Sequence, residues 1–446
     1  MLFGEKELLH RRVQVSPPQI LALSFLIAIV VGTFLLKLPI ATTIPISWID
    51  ALFTATSATT VTGLAVVDTG TVFTVFGQVV IMVLIQIGGL GLMSFAVLVV
   101  IVLGKKIGLR ERILVQEAFN QTSIGGVIRL VKTVFMFSFF IEFIAVILLS
   151  MRWVPEYGWG FGIYTSIFHS ISAFNNAGFS LFSDNLMGYV GDPVVNLIIT
   201  LLFITGGIGF TVLADLWHTK EFRHLSLHTK LMLVGTLIIN VVAMIFIFLL
   251  EYTNPVTLGA LDLGDKLWAS YFQAVTTRTA GFNSLDIGSL TPGTIVFMLL
   301  LMFIGAGSAS TGSGIKLTTF IVILMAVLTY LRGRTETVVF NRTLKVQLIF
   351  RSLAIAVISL FVVFIAIFAL TITEDAPFLM IVFEAFSAFG TVGLSMGLTW
   401  DLTSLGKEII VVLMFIGRVG PLTLAFSLAR TKKSTIRYPE GEVFTG

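Results

Sequence analysis

Four glycines, Gly63, Gly178, Gly281 and Gly393, each close a short segment of one pattern. The segments read FTATSATTVTGL at 53–64, FHSISAFNNAGF at 168–179, YFQAVTTRTAGF at 271–282 and FEAFSAFGTVGL at 383–394. Each opens on an aromatic residue ten positions before the glycine and ends on Leu or Phe just after it. The glycines stand 115, 103 and 112 residues apart, and a fixed period of this kind decides the architecture before any single motif does. The chemistry these residues support is the coordination of a dehydrated cation. Backbone carbonyls can replace its water shell without adding fixed charge. Glycine lets the chain leave helical geometry, so that successive carbonyls can face one axis. A short helix ending just before the glycine would aim its partly negative C-terminus at the same place. A single copy would read more simply as close helix packing. Four copies in register favour the ring of carbonyls.

A second glycine mark follows each first one by 24 to 28 residues: Gly88-Gly89-Leu90-Gly91, Gly206-Gly207-Ile208-Gly209, Gly305-Ala306-Gly307 and Gly417-Arg418-Val419-Gly420. Two places break the repetition. The run at 305–316, GAGSASTGSGIK, is rich in Gly and Ser and cannot hold a helix, since each Gly costs about 1 kcal/mol relative to Ala. The surrounding apolar region, 292–332, therefore reads as two half-helices joined by a loop inside the membrane. Its place below the glycine of its own unit suits a gate, against the plainer reading of a passive kink. Arg418 lies near the middle of the last apolar run, where a charge costs about 2.5–3.5 kcal/mol on insertion scales. It reads as a positive barrier under the carbonyl ring, or as one half of an ion pair holding the loop.

These marks need elements to position them. The chain is 56% hydrophobic and only 12% charged, against roughly a quarter charged in soluble domains. Such a chain must be solvated by lipid. It has no cysteine, which excludes disulfides and thiolate metal sites. Long apolar runs lie at 19–38, 71–103, 127–152, 191–217, 228–251, 292–332, 345–372 and 404–429, each of a length that can cross a core of about 30 Å. Between the members of each pair sits a shorter stretch, at 49–61, 162–176, 265–279 and 377–391. These are too short to span and read as re-entrant, which is tolerated only where protein or a watery path surrounds the backbone. The first 18 residues are polar and charged, and no small-residue cleavage site follows the first apolar run, so that run reads as a spanning helix rather than a leader.

Basic residues crowd the joins between units: Lys105, Lys106, Arg110 and Arg112; Lys220, Arg223 and Lys230; Arg332, Arg334, Arg342, Lys345 and Arg351. The two ends match, with Arg11 and Arg12, and with Arg430, Lys432, Lys433 and Arg437. Acidic residues, among them Asp50, Asp68, Asp184, Glu251, Asp286 and Glu374, flank the short segments. The excess of Lys and Arg marks the cytoplasmic side, so both termini are expected there and the short segments are expected to dip in from outside.

On these four segments, the interrupted sixth run and the arginine of the last run, the sequence resembles the Trk/Ktr/HKT superfamily of cation transporters over nearly its whole length. The resemblance implies an all-α integral membrane fold of the K⁺-channel type. Four pseudo-symmetric units surround one pore, with eight transmembrane helices and four re-entrant pore helices. The units fall at 1–103, 104–220, 221–334 (with the loop 305–316) and 335–430, followed by a cytosolic tail at 431–446. It further implies a selectivity filter for K⁺ at Gly63, Gly178, Gly281 and Gly393, with Thr62, Ala177, Ala280 and Val392 adding carbonyls to the path. All four filter positions are glycine, as in K⁺-selective members, and the Ser of Na⁺-selective plant relatives is absent. The gate would comprise Gly305, Ala306, Gly307, Ser308, Gly312, Ser313, Gly314 and Lys316, with Arg418 as the barrier.

The resemblance places the chain in a bacterial cell membrane as a K⁺-translocating subunit, with Na⁺ left open both as a second cargo and as a coupling ion. It implies a homodimer in lipid, docked on a cytosolic RCK-type ring (KtrA-like) that would carry any nucleotide, ATP or ADP. No cofactor in this chain and no nucleic acid are expected. The alternative is the K⁺-binding subunit of a P-type pump complex, which shares the four-unit plan but needs additional spans. A membrane enzyme is disfavoured, because no phosphate loop, HExxH or nucleophile motif is present. Other polar residues receive plainer readings. Arg278 and Glu384 would brace pore helices from behind. Asn175 and Asn176 would hydrogen-bond the filter backbone or end a helix. His169 lacks a second ligand at metal spacing. Glu142 needs a partner, and Asp215 would be solvated.

Overall fold

The computed structural model describes residues 17–91, 127–428 and 444. The basic residues expected near both ends and at 105–112, and the tail at 431–446, lie outside the described residues.

The first repeat holds α1 (Pro17–Leu36), α2 (Trp48–Thr59), the single turn α3 (Thr69–Val72) and α4 (Val75–Leu90). The second holds α5 (Val127–Tyr157), α6 (Trp159–Phe174), α7 (Pro193–Ile208) and α8 (Phe210–His218). The third holds α9 (Leu227–Glu251), α10 (Leu263–Thr276), α11 (Pro292–Phe303) and α12 (Leu317–Leu331). A two-stranded hairpin, β1 (Val338–Val339) with β2 (Arg342–Thr343), leads into the fourth. That repeat holds α13 (Val346–Thr373), α14 (Phe378–Gly390), the turn α15 (Leu398–Asp401), α16 (Ser404–Val419) and α17 (Pro421–Leu428).

Four described helices are long and apolar enough to cross a membrane, at Pro18–Leu36, Val131–Tyr157, Leu227–Glu251 and Val346–Thr373. They are the first helices of the four repeats. Their outward sides carry exposed Phe139, Phe140 and Phe143 on α5 and Phe361, Phe364 and Phe368 on α13. The short helices α2, α6, α10 and α14 are buried instead, with Phe53, Phe168, Phe272 and Phe383 each 0% exposed. Hydroxyls gather inside with them, including Thr56, Ser57, Ser172, Thr276 and Ser387. Polar groups at the centre and apolar groups outside suit a lipid-solvated chain, in which burial of apolar surface does not drive helix association.

The second helix of each repeat starts on a side-chain cap: Thr74, Asp192, Thr291 and Thr403 accept from backbone N–H groups one turn on. Such caps satisfy N–H groups that have no partner inside the helix. In repeats 3 and 4 a carboxylate from the end of the first helix reaches the cap. Thr291 N donates to Glu251 Oε1 at 2.8 Å, and Thr403 N donates to Glu374 Oε2 at 3.0 Å. These acids tie the helices of one repeat together, beyond marking a side of the membrane.

The interruption expected only in repeat 3 has counterparts in the other repeats. Helices α4, α7 and α16 all stop at a glycine of positive φ: Gly91 at 89°, Gly209 at 110° and Gly420 at 92°. The pair α7 and α8 bends by 93° there. Repeat 3 differs in degree, because 304–316 contains no helix at all.

Candidate functional site

The four sequence-picked glycines meet at one place. Gly63, Gly178, Gly281 and Gly393 have φ of 93°, 68°, 78° and 89°. Two positions earlier, Val61, Asn176, Thr279 and Thr391 also have positive φ, at 52°, 58°, 67° and 48°. Three of those four are β-branched, for which this region is strained. Such strain, about 1–3 kcal/mol per residue, persists only where the surroundings enforce it. Left-handed residues spaced two apart swing the chain so that successive carbonyls no longer alternate as in a strand.

The repeats interlock through these glycines in order. A Cβ built on Gly63 would fall on the carbonyl oxygen of Ala177, and one on Gly178 would lie 3.0 Å from that of Ala280. One on Gly281 would lie 2.5 Å from the oxygen of Val392, and one on Gly393 would fall on that of Thr62. The contacts run from repeat 1 to 2, 2 to 3, 3 to 4 and 4 back to 1. All eight positions expected in the filter are therefore brought together in one closed ring of backbone.

A hydroxyl at the end of each short helix braces this backbone. Ser57 Oγ accepts from Gly63 N and Ser387 Oγ accepts from Gly393 N, both at 3.1 Å. Ser172 Oγ donates to Phe179 O at 2.7 Å, and Thr276 Oγ1 donates to Phe282 O at 2.5 Å. The sequence reading missed these four residues. A signal was present, since a serine stands six positions before the glycine in three copies. The second glycines serve packing. A Cβ on Gly88, Gly206 or Gly417 would fall on the carbonyl oxygen of Thr59, Phe174 or Phe389, the residue four before the filter glycine. Gly305 departs from this pattern and meets Ser313 O of its own loop.

One side of the ring opens into a cavity of about 250 Å³, lined by all four filter glycines and by Asp68, Asp184 and Asp286. Burial pushes the Asp68 carboxyl up, but hydrogen bonds from Ser183 and Thr71 outweigh it and hold the group below its ordinary value of 3.8. Repeat 4 contributes Ser395 and Thr399 to the wall, and both donate to the buried carboxylate of Glu384.

The loop at 304–316 packs against the same segments. Its ends pair, with Gly305 N donating to Ile315 O at 2.8 Å, and Leu317 N donates to Ala306 O at 3.1 Å. Gly307 N donates to Gly207 O at 2.8 Å, and Thr311 N to Gly206 O at 3.2 Å. Ser308 Oγ lies 3.4 Å from Thr318 Oγ1. Thr311 Oγ1 donates to Asn176 Oδ1 at 2.8 Å. A Cβ on Gly312 would fall on Thr279 Oγ1, and one on Gly314 would lie 3.5 Å from Gly390 Cα. The loop thus abuts the filter segments of repeats 2, 3 and 4. Lys316 folds back onto it, with Nζ donating to Gly312 O at 2.7 Å, rather than reaching an acidic group or the membrane edge.

Arg418 completes the layer. Its Nη1 donates to Thr311 O and, at 3.0 Å, to Ser313 Oγ. Its Nη2 donates to Gly88 O and, at 3.3 Å, to Gly89 O. It holds the loop through neutral oxygens, and among the described residues it forms no ion pair.

The remaining polar residues separate clearly. Glu142 accepts from Gln86 Nε2 at 3.1 and 3.2 Å and from Asn175 Nδ2 at 3.4 Å. Asn175 therefore ends α6 and faces Glu142, Asn176 faces the loop of 304–316, and neither side chain bonds the filter backbone. His169 is bonded to Thr165 O and Ser180 Oγ, both at 2.9 Å, and no metal-holding group of His, Cys, Asp and Glu occurs among the described residues. Asp215 accepts from Thr229 Oγ1 at 2.5 Å and Ser226 N at 3.0 Å, so it braces the start of α9 while staying partly exposed.

Comparison with known proteins bears on the family and the fold. Residues 12–435 match the TrkH family model, described as a cation transport protein. The chain is 69% identical over 442 residues to Ktr system potassium uptake protein B of Bacillus subtilis (strain 168), covering 99% of each. It is 47% identical to the protein of the same name from Vibrio alginolyticus, covering 96% of this chain and 95% of that one. It is 38% identical to the potassium/sodium uptake protein NtpJ of Enterococcus hirae, covering 98% of each. The crystal structure of the potassium transporter TrkH from Vibrio parahaemolyticus superposes with a TM-score of 0.73 at 21% identity, over 94% of this chain and 86% of that one. That likeness bears on the fold alone.

Proposed function

We propose that this chain, which belongs to the TrkH family of cation transport proteins, is the K⁺-translocating membrane subunit of a bacterial uptake system. It is a multi-pass membrane protein of an ion-transporting, non-enzymatic family. The observation that carries the reading is the closed ring of backbone contacts among the four filter glycines, each left-handed and each too close to the next repeat to carry a side chain. A dehydrated K⁺ would bind carbonyls of Thr62, Gly63, Ala177, Gly178, Ala280, Gly281, Val392 and Gly393. The three aspartates of the cavity would concentrate cations on the outer side. The loop of 304–316 and Arg418 would block the path below, by bulk and by charge.

On this reading eight spans and four re-entrant helices surround the pore, with both termini cytoplasmic. Two such chains would sit on a cytosolic nucleotide-binding ring of the RCK type, whose state sets the position of the loop. The named relatives at 69% and 47% identity belong to Ktr potassium uptake systems, which supports both the cargo and the existence of a partner. Growth of bacteria lacking K⁺ uptake, on low K⁺, tests the proposal. Rescue by this chain together with a cytosolic ring subunit is expected, and absence of rescue with the protein present in the membrane would sink it.

A further inference from the structure

The residue three before the filter glycine differs in every repeat: Thr60, Asn175, Arg278 and Gly390. In repeat 2 the carboxylate of Glu142, from the first helix α5, meets Asn175. In repeat 3 the residue is a cation, and what meets it from the first helix α9 is a neutral amide. Arg278 Nη1 donates to Asn240 Oδ1 at 3.3 Å. The Nε of Arg278 is buried with no partner. No carboxylate forms an ion pair with Arg278 among the described residues. A guanidinium does not give up its proton, and an uncompensated charge at this depth is strongly unfavourable.

A cavity of about 20 Å³ lies against the guanidinium, room for one sphere of the size of a water or a halide. Its wall includes Gly207, Thr236, Asn240, Val275, Arg278 and Ala306. Thr236 Oγ1 is also buried without a partner. Two polar atoms without a hydrogen-bond partner, Arg278 Nε and Thr236 Oγ1, thus belong to residues of this wall, beside Asn240.

We propose that this pocket binds a small inorganic anion, chloride in the cell, as the counter-ion of Arg278. The site touches the gate. Ala306 belongs to the loop, and Gly207 O accepts from Gly307 N at 2.8 Å. A bound anion thereby holds the loop against α7 and favours the closed arrangement. The proposal does not depend on which cation crosses the ring.

Crystals of the full chain grown in bromide provide the first test. An anomalous peak in the pocket, within hydrogen-bond distance of Arg278, is expected, and a water or empty density there overturns the proposal. The second test is thermal unfolding in detergent, in potassium chloride and potassium gluconate at equal ionic strength. The wild type should melt about 2 °C higher in chloride, and R278Q should lose that difference. Equal wild-type midpoints overturn the proposal. A bromide peak that R278Q retains marks an adventitious ion only and overturns it as well. Both wild-type measurements stand if R278Q fails to fold.

Discussion

Two layers of the molecule lie one beneath the other and are built on opposite plans. The upper layer repeats itself: four glycines, four left-handed pairs and four hydroxyl braces, closed head to tail by backbone. The lower layer does not repeat. Repeat 1 offers the carbonyls of Gly88 and Gly89, repeat 2 the amide of Asn176, repeat 3 a thirteen-residue loop from 304 to 316, and repeat 4 the guanidinium of Arg418. On the proposed function, equivalent carbonyls in the upper layer would surround the ion, and the unlike parts of the lower layer would let one part move while the others hold it.

The sharpest way to break this comparison is to give the upper layer a side chain. Gly281→Ser places an atom against the carbonyl oxygen of Val392 and strains a φ of 78°. Discrimination between K⁺ and Na⁺ in competitive uptake should fall roughly tenfold or more, since about 1.4 kcal/mol suffices for a factor of ten. Unchanged discrimination would move the filter elsewhere. In the lower layer the direction reverses. Arg418→Gln removes a clamp between repeats 1, 3 and 4, and the initial rate of K⁺ uptake should rise several-fold. A fall in rate with thermal stability unchanged would make the arginine a brace rather than a barrier.

Smaller effects come from single contacts. Thr311→Val deletes the bond to Asn176 Oδ1, worth about 1 kcal/mol. Basal uptake without the cytosolic partner should increase by a factor of about five at most, because 1.4 kcal/mol is tenfold. No change would detach the loop from the filter of repeat 2. The smallest effect belongs to the outer cavity. Asp68→Asn should weaken apparent K⁺ affinity about twofold at low ionic strength, and the difference should fade near 1 M salt, where the Debye length is about 3 Å. The folded Asp68 carboxyl is held below 3.8, so it is fully charged above that value and loses its charge only as pH falls through the lower one. The effect of Asp68→Asn should thus be the same at about pH 8 and about pH 5.5. Uptake curves at the two pH values check this.

What could be read from the sequence follows the same division. The upper layer was legible because its rule is one residue type at one spacing, four times over. The loop and Arg418 stood out because they violated local rules, glycine in a span and charge in lipid. The partners in the lower layer could not be read. Glu142 finds Gln86 across 56 positions of sequence, and Arg418 finds Gly88 across 330. No periodicity encodes such meetings. The glycine ends of α4, α7 and α16 lie within the second glycine marks, but glycine in an apolar helix also serves close packing, and only the backbone angle shows that Gly91, Gly209 and Gly420 stop one. In the sequence Asp68, Asp184 and Asp286 mark only orientation, because sequence alone does not show that their loops converge on one cavity.

The ring has one seam, where repeat 4 meets repeat 1. There a Cβ on Gly393 would strike the carbonyl of Thr62, and Lys407 Nζ bonds Asp50 Oδ1 at 2.8 Å across 357 residues of sequence. During synthesis the chain enters the bilayer from its N-terminus, so three quarters of the ring must wait, unsealed, for the last quarter to arrive. The carbonyl ring and the arginine beneath it come into being together, since Arg418 is made only twenty-five residues after Gly393. A nascent chain stopped anywhere earlier has no sealed ring through which ions can be selected. On the proposed function, truncated chains ending before residue 393 should leave K⁺ permeability at background.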